Sequence, residues 1–245
     1  MYRLYESTIA LLLILMGCAG LVTAEAPQVF GVVIGDSIAE GHPALHGALH
    51  PGRAAYDPTY ASQPGQLSYE LGVLSGYHWY NNGIGSQSTE HIRARWNRDA
   101  LGRQDDPQDG RGNRTLPGTP YAVVVAAGVN DISLKVPAEA TRANLRFMAD
   151  SLNSAGAYVV FLTLPPSNRA TSEQIQMVQD MNTWMLQNLP SERVGVVDLY
   201  AWFEDPQNPG KVNSALAADY IHPSKDGYKE LASLAWAVLS KISSR

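Results

Sequence analysis

The 245-residue sequence predicts an α/β fold with a parallel sheet covered by helices on both faces. Three observations lead there. Four valine-rich apolar runs are continuous rather than alternating, the pattern of strands buried on both faces. Segments of helical periodicity separate the later runs, so the connections read as crossovers between parallel strands. The length suits one full-sized domain, and 45% apolar with 17% charged residues is the composition of a globular core.

Taken in chain order, the elements begin with a segment outside the fold. Arg3 precedes the apolar run "IALLLILM" (9–16), which is short for a membrane-spanning helix and has the architecture of an export signal (1–24). Small residues in "VTA" (22–24) place the cleavage after Ala24 and leave a single mature domain, 25–245. "LMGC" (15–18) offers a second expectation, a lipobox with a lipid anchor on Cys18, the sole cysteine. The protein is therefore expected to be secreted or periplasmic, or else a membrane-anchored lipoprotein, and without a disulfide in either case.

The first strand is "VFGVVI" (29–34), and "YHWY" (77–80) reads as a weaker second. Residues 97–120 are polar and read as a surface loop. "YAVVVAA" (121–127) is the next strand. Pro137 suits a first helical turn ahead of Thr141, Leu145, Met148 and Leu152, with Gly156 ending that helix. "AYVVFLTL" (157–164) follows as a strand. Thr171 and Gln174 form a capping box ahead of Ile175, Val178, Met185 and Leu189, and Pro190 stops the helix. "VGVVDL" (194–199) is the last strand. A final helix starts near Ser224 and carries an apolar stripe of Tyr228, Leu231, Ala235, Val238 and Ile242.

Charge and motifs exclude several functions. The net charge of −5 comes without any run of Lys or Arg, which argues against nucleic-acid partners. No complete dinucleotide fingerprint or phosphate loop is present, and no cofactor is expected. Nothing calls for an obligate protein partner. His42, His46 and His50 recur four apart, as zinc ligands on a helix would, but Pro43 and Gly47 interrupt that helix. The expectation is a loop beside Ser37 and no metal.

The polar clusters share one location. In an open parallel sheet, ligands bind beyond the carboxyl ends of the strands. "GDS" (35–37) follows the first strand, "NNGIGSQST" (81–89) the second and "GVND" (128–131) the third. "DYIHPS" (219–224) lies between the last strand and the last helix. A serine hydroxyl needs a base to become a nucleophile, and His222 with Asp219 three residues earlier supplies a base and its orienting carboxylate. The Ser37 N–H, a backbone N–H of the "GIGS" turn and the Asn130 side chain are candidate oxyanion donors. That set of residue types points to acyl transfer from an ester to water. No Gly-x-Ser-x-Gly elbow occurs, which argues against the larger α/β-hydrolase fold.

These blocks, "GDSIAEG" (35–41), "NNGIGSQST", "GVND" and "DYIHPSKDGY" (219–228), with "VVDLYAWFEDP" (196–206) ahead of the last, resemble those of the SGNH hydrolases, or GDSL esterases and lipases. The resemblance runs from Val29 nearly to the C-terminus. It implies a flavodoxin-like three-layer α/β/α fold with a mostly five-stranded sheet, Ser37 as nucleophile, His222 as base with Asp219, and Asn130 in the oxyanion hole. One position departs. Where the family presents a glycine as second-block donor, Ser86 stands, directly after Gly85, so the donor is expected to be the Ser86 N–H ahead of that of Gly85. A backbone N–H donates equally well from serine, provided the turn does not demand a glycine conformation.

The expected function is an exported serine esterase acting on short-chain acyl esters, carbohydrate acetyl groups among them. Lipid-derived esters or thioesters are the alternative substrates. An acyltransferase and a non-catalytic binding domain of the same fold are the more distant readings.

Overall fold

The structure is a computed structural model that describes residues 29–42, 62–103 and 116–245. The signal-like segment with Cys18, the residues His46 and His50, and the middle of the polar stretch lie outside the described residues. Five strands form one parallel sheet: β1 (Phe30–Gly35), β2 (His78–Gly83), β3 (Ala122–Ala126), β4 (Tyr158–Leu162) and β5 (Val194–Val197). Their order, β2-β1-β3-β4-β5, is that of a flavodoxin-like sheet. The winding direction reverses between β1 and β3, so the crevice beyond their carboxyl ends is where such a sheet binds ligands.

Nine helices occur among the described residues: α1 (Ser37–Glu40), α2 (Leu67–Ser75), α3 (Thr89–Ala94), α4 (Trp96–Asp99), α5 (Val129–Ser133), α6 (Ala138–Ser154), α7 (Ser172–Asn188), α8 (Leu199–Phe203) and α9 (Lys225–Ser243). The alternating direction of strand side chains sorts them into two layers. Val32, Ile34, Val123, Val125 and Phe161 pack with Trp96, Leu145, Met148 and Met185 on one face. Val33, Val124 and Val160 pack with Leu71, Phe203, Tyr228 and Leu231 on the other. The fold is three-layered, α/β/α, as expected. No helix among the described residues is long and apolar enough to cross a membrane.

The helix signals translate into contacts. Thr171 Oγ1 accepts from the Gln174 N–H at 3.2 Å while Gln174 Oε1 accepts from the Thr171 N–H at 3.0 Å, closing the capping box of α7. Ser224 caps α9 through the Gly227 N–H. Pro137 sits one residue outside α6 rather than in its first turn.

Three details differ from expectation. α2 carries no strong helical pattern because its buried residues include the polar Ser68 and Glu70 while the apolar Val73 and Leu74 are exposed. The polar stretch assigned to a loop from residue 97 begins inside α4, and Leu101 and Leu116 are buried in the core. Asn81, Asn82 and Gly83, read as lying past the second strand, form its buried last three residues.

Candidate active site

The carboxyl end of β1 is shaped by close approach. Gly35 has φ +151°, and a Cβ there would stand 1.9 Å from the Ala126 carbonyl oxygen of β3, so only glycine fits. The next residue, Asp36, donates its N–H to that same oxygen at 3.0 Å. Its carboxyl group accepts from the Ile38 N–H at 2.9 Å and caps α1. Ser37 is thereby presented as the first residue of a helix, at the rim of the sheet. Burial pushes the Asp36 pKa up to about 7, with the Asp131 and Glu40 carboxylates adding to the effect and the Ile38 N–H opposing it.

His222 reaches Ser37 across 185 residues of chain, with its Nε2 2.8 Å from Ser37 Oγ. Its Nδ1 lies 2.9 Å from Asp219 Oδ2 and 3.1 Å from Oδ1. The tautomer with its proton on Nδ1 donates to Asp219 and leaves Nε2 free to accept from the serine hydroxyl. Asp219 also organises its own loop, since Oδ1 accepts the N–H groups of Ile221 at 2.9 Å and His222 at 2.8 Å.

The helix behind that loop explains the Gly-Tyr pair. A Cβ on Gly227 would stand 2.4 Å from the Leu216 carbonyl oxygen. Tyr228 is fully buried, and its hydroxyl donates to the His42 carbonyl at 3.1 Å.

Electrostatics favour a neutral His222. Burial lowers its pKa below 6.5, more than the Asp219 carboxylate raises it, and His42 opposes its charge further. For Asp219, burial opposes the charge, but the bonds from the His222 ring and backbone outweigh it and bring its pKa below the usual carboxylate value.

The candidate oxyanion donors gather around Ser37. Asn130, in the first turn of α5, gives one amide hydrogen to the Gln87 carbonyl at 3.0 Å. The second hydrogen of that amide remains to meet a ligand. A Cβ added at Gly85 would meet the Glu40 carboxylate at 2.8 Å and the Ser37 Cβ at 3.8 Å. Ser86 has φ +64°, the left-handed region that glycine occupies without cost. The departure from the family pattern thus falls on a residue held in a glycine-like conformation. Ser37, Gly85, Ser86, Asn130 and His222 line one cavity of about 540 Å³. The structure brings Ser37, Gly85, Ser86, Asn130, Asp219 and His222 together, while His46, His50 and Cys18 are not among the described residues.

Several residues that support the site escaped the sequence reading. Arg95 is buried and donates to the carbonyls of Gly35 at 3.0 Å and Asn82 at 2.8 Å, so it ties the ends of β1 and β2 together. Its Nε holds the Gln87 side chain at 2.7 Å, and Gln87 in turn orients Asn130. Asp99 pairs with Arg95 at 3.1 Å and with Arg98 at 2.6 Å. Burial raises its pKa, but the two guanidinium groups prevail and lower it. Asp131, beside Asn130, accepts from the Thr89 N–H at 2.8 Å and from the hydroxyls of Thr89 at 2.5 Å and Thr141 at 3.0 Å. It joins the second and third blocks in one buried network. The signal was present in "SQST" and "GVND", but a lone polar residue in a loop does not announce a buried partner.

A family model, the GDSL-like lipase/acylhydrolase family, matches residues 33–230. The chain belongs to the GDSL-like lipase/acylhydrolase family. No curated protein matches it in a sequence search.

Solved structures share the fold at low identity. A protein of the G-D-S-L lipolytic family from Desulfitobacterium hafniense DCB-2 is 21% identical, with TM-score 0.63 over 86% of this chain and 100% of that one. A GDSL-like lipase from Bacteroides thetaiotaomicron VPI-5482 is 18% identical, with TM-score 0.63 over 88% and 92%. An acetyl xylan esterase, AlAXEase, is 17% identical, with TM-score 0.58 over 85% and 98%. This GDSL-family chain therefore has the family's sheet and its four sequence blocks around one cavity.

Proposed function

We propose that this chain is an exported carboxylic ester hydrolase in which Ser37 is the nucleophile. The observation that carries the reading is the line Ser37 Oγ–His222–Asp219, with separations of 2.8 and 2.9 Å, at the wall of the cavity. In this mechanism Ser37 Oγ attacks the acyl carbon and its proton passes to His222 Nε2. The oxyanion is met by the N–H of Ser37, the N–H of Ser86 or Gly85, and the Asn130 amide. The ester C–O bond then breaks, and His222 returns the proton to the departing alcohol. Water, activated by His222, attacks the acyl-enzyme and releases the acid and free Ser37.

The cavity supports a choice of substrate. At about 540 Å³ it lies within the roughly 300–1,000 Å³ typical of small-ligand sites. Val129, Ile132, Ile175 and Val178 give it an apolar wall between α5 and α7, while Arg169 and Tyr220 make its other side polar. An acyl chain longer than acetyl would bury apolar surface against that wall. This favours lipid-derived esters or thioesters over bare acetyl groups on carbohydrate. Export rests on the signal-like first 24 residues.

The test is hydrolysis of p-nitrophenyl acetate, butyrate and octanoate by the mature chain, with Ser37→Ala alongside. Turnover that disappears in Ser37→Ala and a kcat/KM greater for butyrate or octanoate than for acetate are expected. An optimum at acetate would return the assignment to acetyl esters. Absence of turnover from folded protein would favour a binding domain.

A further inference from the structure

We infer that His42, Asp219 and His222 form a site for a zinc-like divalent transition-metal ion, whose binding shuts off the proposed serine chemistry. One donor atom from each residue lies within 4.8 Å of the other two. The ring of His42 stands beside that of His222, with centroids 4.7 Å apart and planes inclined by 58°. Two imidazoles and a carboxylate are the ligand types of three-ligand zinc sites that keep a fourth position open.

The distances need only a small closing movement. Zinc sits about 2.0–2.2 Å from nitrogen or oxygen, so in tetrahedral geometry two of its ligand atoms stand ~3.4 Å apart. Asp219 and His222 are already 2.9 Å apart. His42 supplies the movement by side-chain rotation, because its backbone is held at both ends. Its N–H donates to the Ser37 carbonyl at 3.0 Å and its carbonyl accepts from the Tyr228 hydroxyl at 3.1 Å. Its ring is half-buried and faces the cavity.

Metal binding and base catalysis compete for the same imidazole. Coordination through His222 Nδ1 moves the proton of that atom to Nε2, which then donates and cannot accept from Ser37, and it breaks the hydrogen bond to Asp219. Coordination through Nε2 displaces the Ser37 hydroxyl. Neither arrangement leaves a nitrogen that can take the serine proton from an imidazole steered by Asp219. The donor set also predicts selectivity. Imidazole suits Zn²⁺ and Cu²⁺, whereas Mg²⁺ prefers oxygen ligands in octahedral geometry.

The loss of activity rests on the proposed esterase reading; the binding does not, and two measurements separate them. In the first, ester hydrolysis is titrated with ZnCl₂ and MgCl₂ in the full-length chain and in His42→Phe, which keeps a ring beside His222 but no ligand nitrogen. Each rate is expressed relative to the same protein in chelator. Zinc is expected to inhibit reversibly, Mg²⁺ to have no effect at the same concentration, and the half-inhibiting zinc concentration to rise at least tenfold in His42→Phe. Equal inhibition of the two proteins, or equal potency of the two metals, would overturn the site. In the second, Co²⁺ is added to Ser37→Ala and the visible absorption of four-coordinate cobalt is recorded. A band that is absent from Ser37→Ala/His42→Phe is expected, with His42→Leu in place of His42→Phe if the latter fails to fold. A band unchanged by loss of His42, or no band at all, would reject the site whatever the esterase assay shows.

Discussion

The two halves of the site are built in different ways. Ser37 is placed through the backbone on either side of it: the Gly35 carbonyl is held by the Arg95 side chain, the Asp36 N–H by β3, and the Ile38 N–H by the Asp36 carboxyl. None of these contacts uses the serine hydroxyl. His222 is placed by side chain: the Asp219 carboxylate that meets its ring also accepts the N–H groups of residues 221 and 222. Replacing Ser37 should therefore remove chemistry without touching structure, whereas replacing Asp219 disturbs both. A residue whose function and whose local fold run through one group cannot be altered for one alone.

That contrast sets the largest expected effect. Ser37→Ala is predicted to lower kcat by roughly 10⁴-fold or more with an unchanged melting temperature, on the scale of other serine hydrolases. Asp219→Asn keeps an oxygen for the backbone N–H groups and should leave more residual activity than Ser37→Ala, with some loss of stability. Steady-state kinetics and thermal unfolding of both variants decide it, and a greater kcat loss at Asp219 would break the comparison.

Asn130 belongs to the backbone-placed half, steered by Gln87 and Arg95. Asn130→Ala is predicted to lower kcat by about 10²-fold, as for other oxyanion donors, with the fold retained. Near wild-type kcat would remove Asn130 from the mechanism.

The pH profile addresses the side-chain half. Because burial holds the His222 pKa below 6.5, kcat/KM should rise with pH through a midpoint below that value and be level at neutrality. In Asp219→Asn the imidazolium loses its carboxylate, so the midpoint should fall further. A midpoint above 6.5 in the native chain would contradict this environment for the ring.

Asp36 gives a pH effect on stability of known sign. Its folded pKa, about 7, lies above the unfolded 3.8. The stability linked to its protonated form is complete below pH ~4 and is lost as pH rises through about 7. Asp36→Asn imitates the protonated acid and keeps an acceptor for the Ile38 N–H. It should be more stable than the native chain at pH 8, by about 2–4 kcal/mol, with the difference shrinking toward pH 4. Denaturant unfolding at both pH values measures this; a difference independent of pH would exclude an elevated pKa.

The smallest effect is expected at Ser86. Replacing it with glycine relieves a left-handed backbone that costs about 1–2 kcal/mol for other residues, offset in part by the greater freedom of unfolded glycine. Ser86→Gly should gain up to ~1 kcal/mol and leave kcat within about twofold, since the backbone N–H persists. A large drop in kcat would show that the Ser86 side chain itself takes part.

Much of this protein was determined by sequence alone. The valine runs of β1, β3 and β4 announce a sheet buried on both faces because continuous apolar strands have no solvent side to serve. Thr171 with Gln174, and Ser224, mark helix starts because capping is local chemistry between near neighbours. Ser37, Asn130, Asp219 and His222 could be picked out because strand ends in such a fold converge on one edge.

Tertiary structure alone decided the rest. The burial of Arg95 against the Gly35 carbonyl, the tie from Asp131 to Thr89, and the approach of His42 to His222 join residues far apart in the chain. A polar residue's free energy depends on whether a partner meets it after burial, and local sequence carries no record of that meeting. The shape of the cavity has the same origin. Ile175, which the sequence gives only as an apolar position of a helix, lines the site where α7 packs near α5.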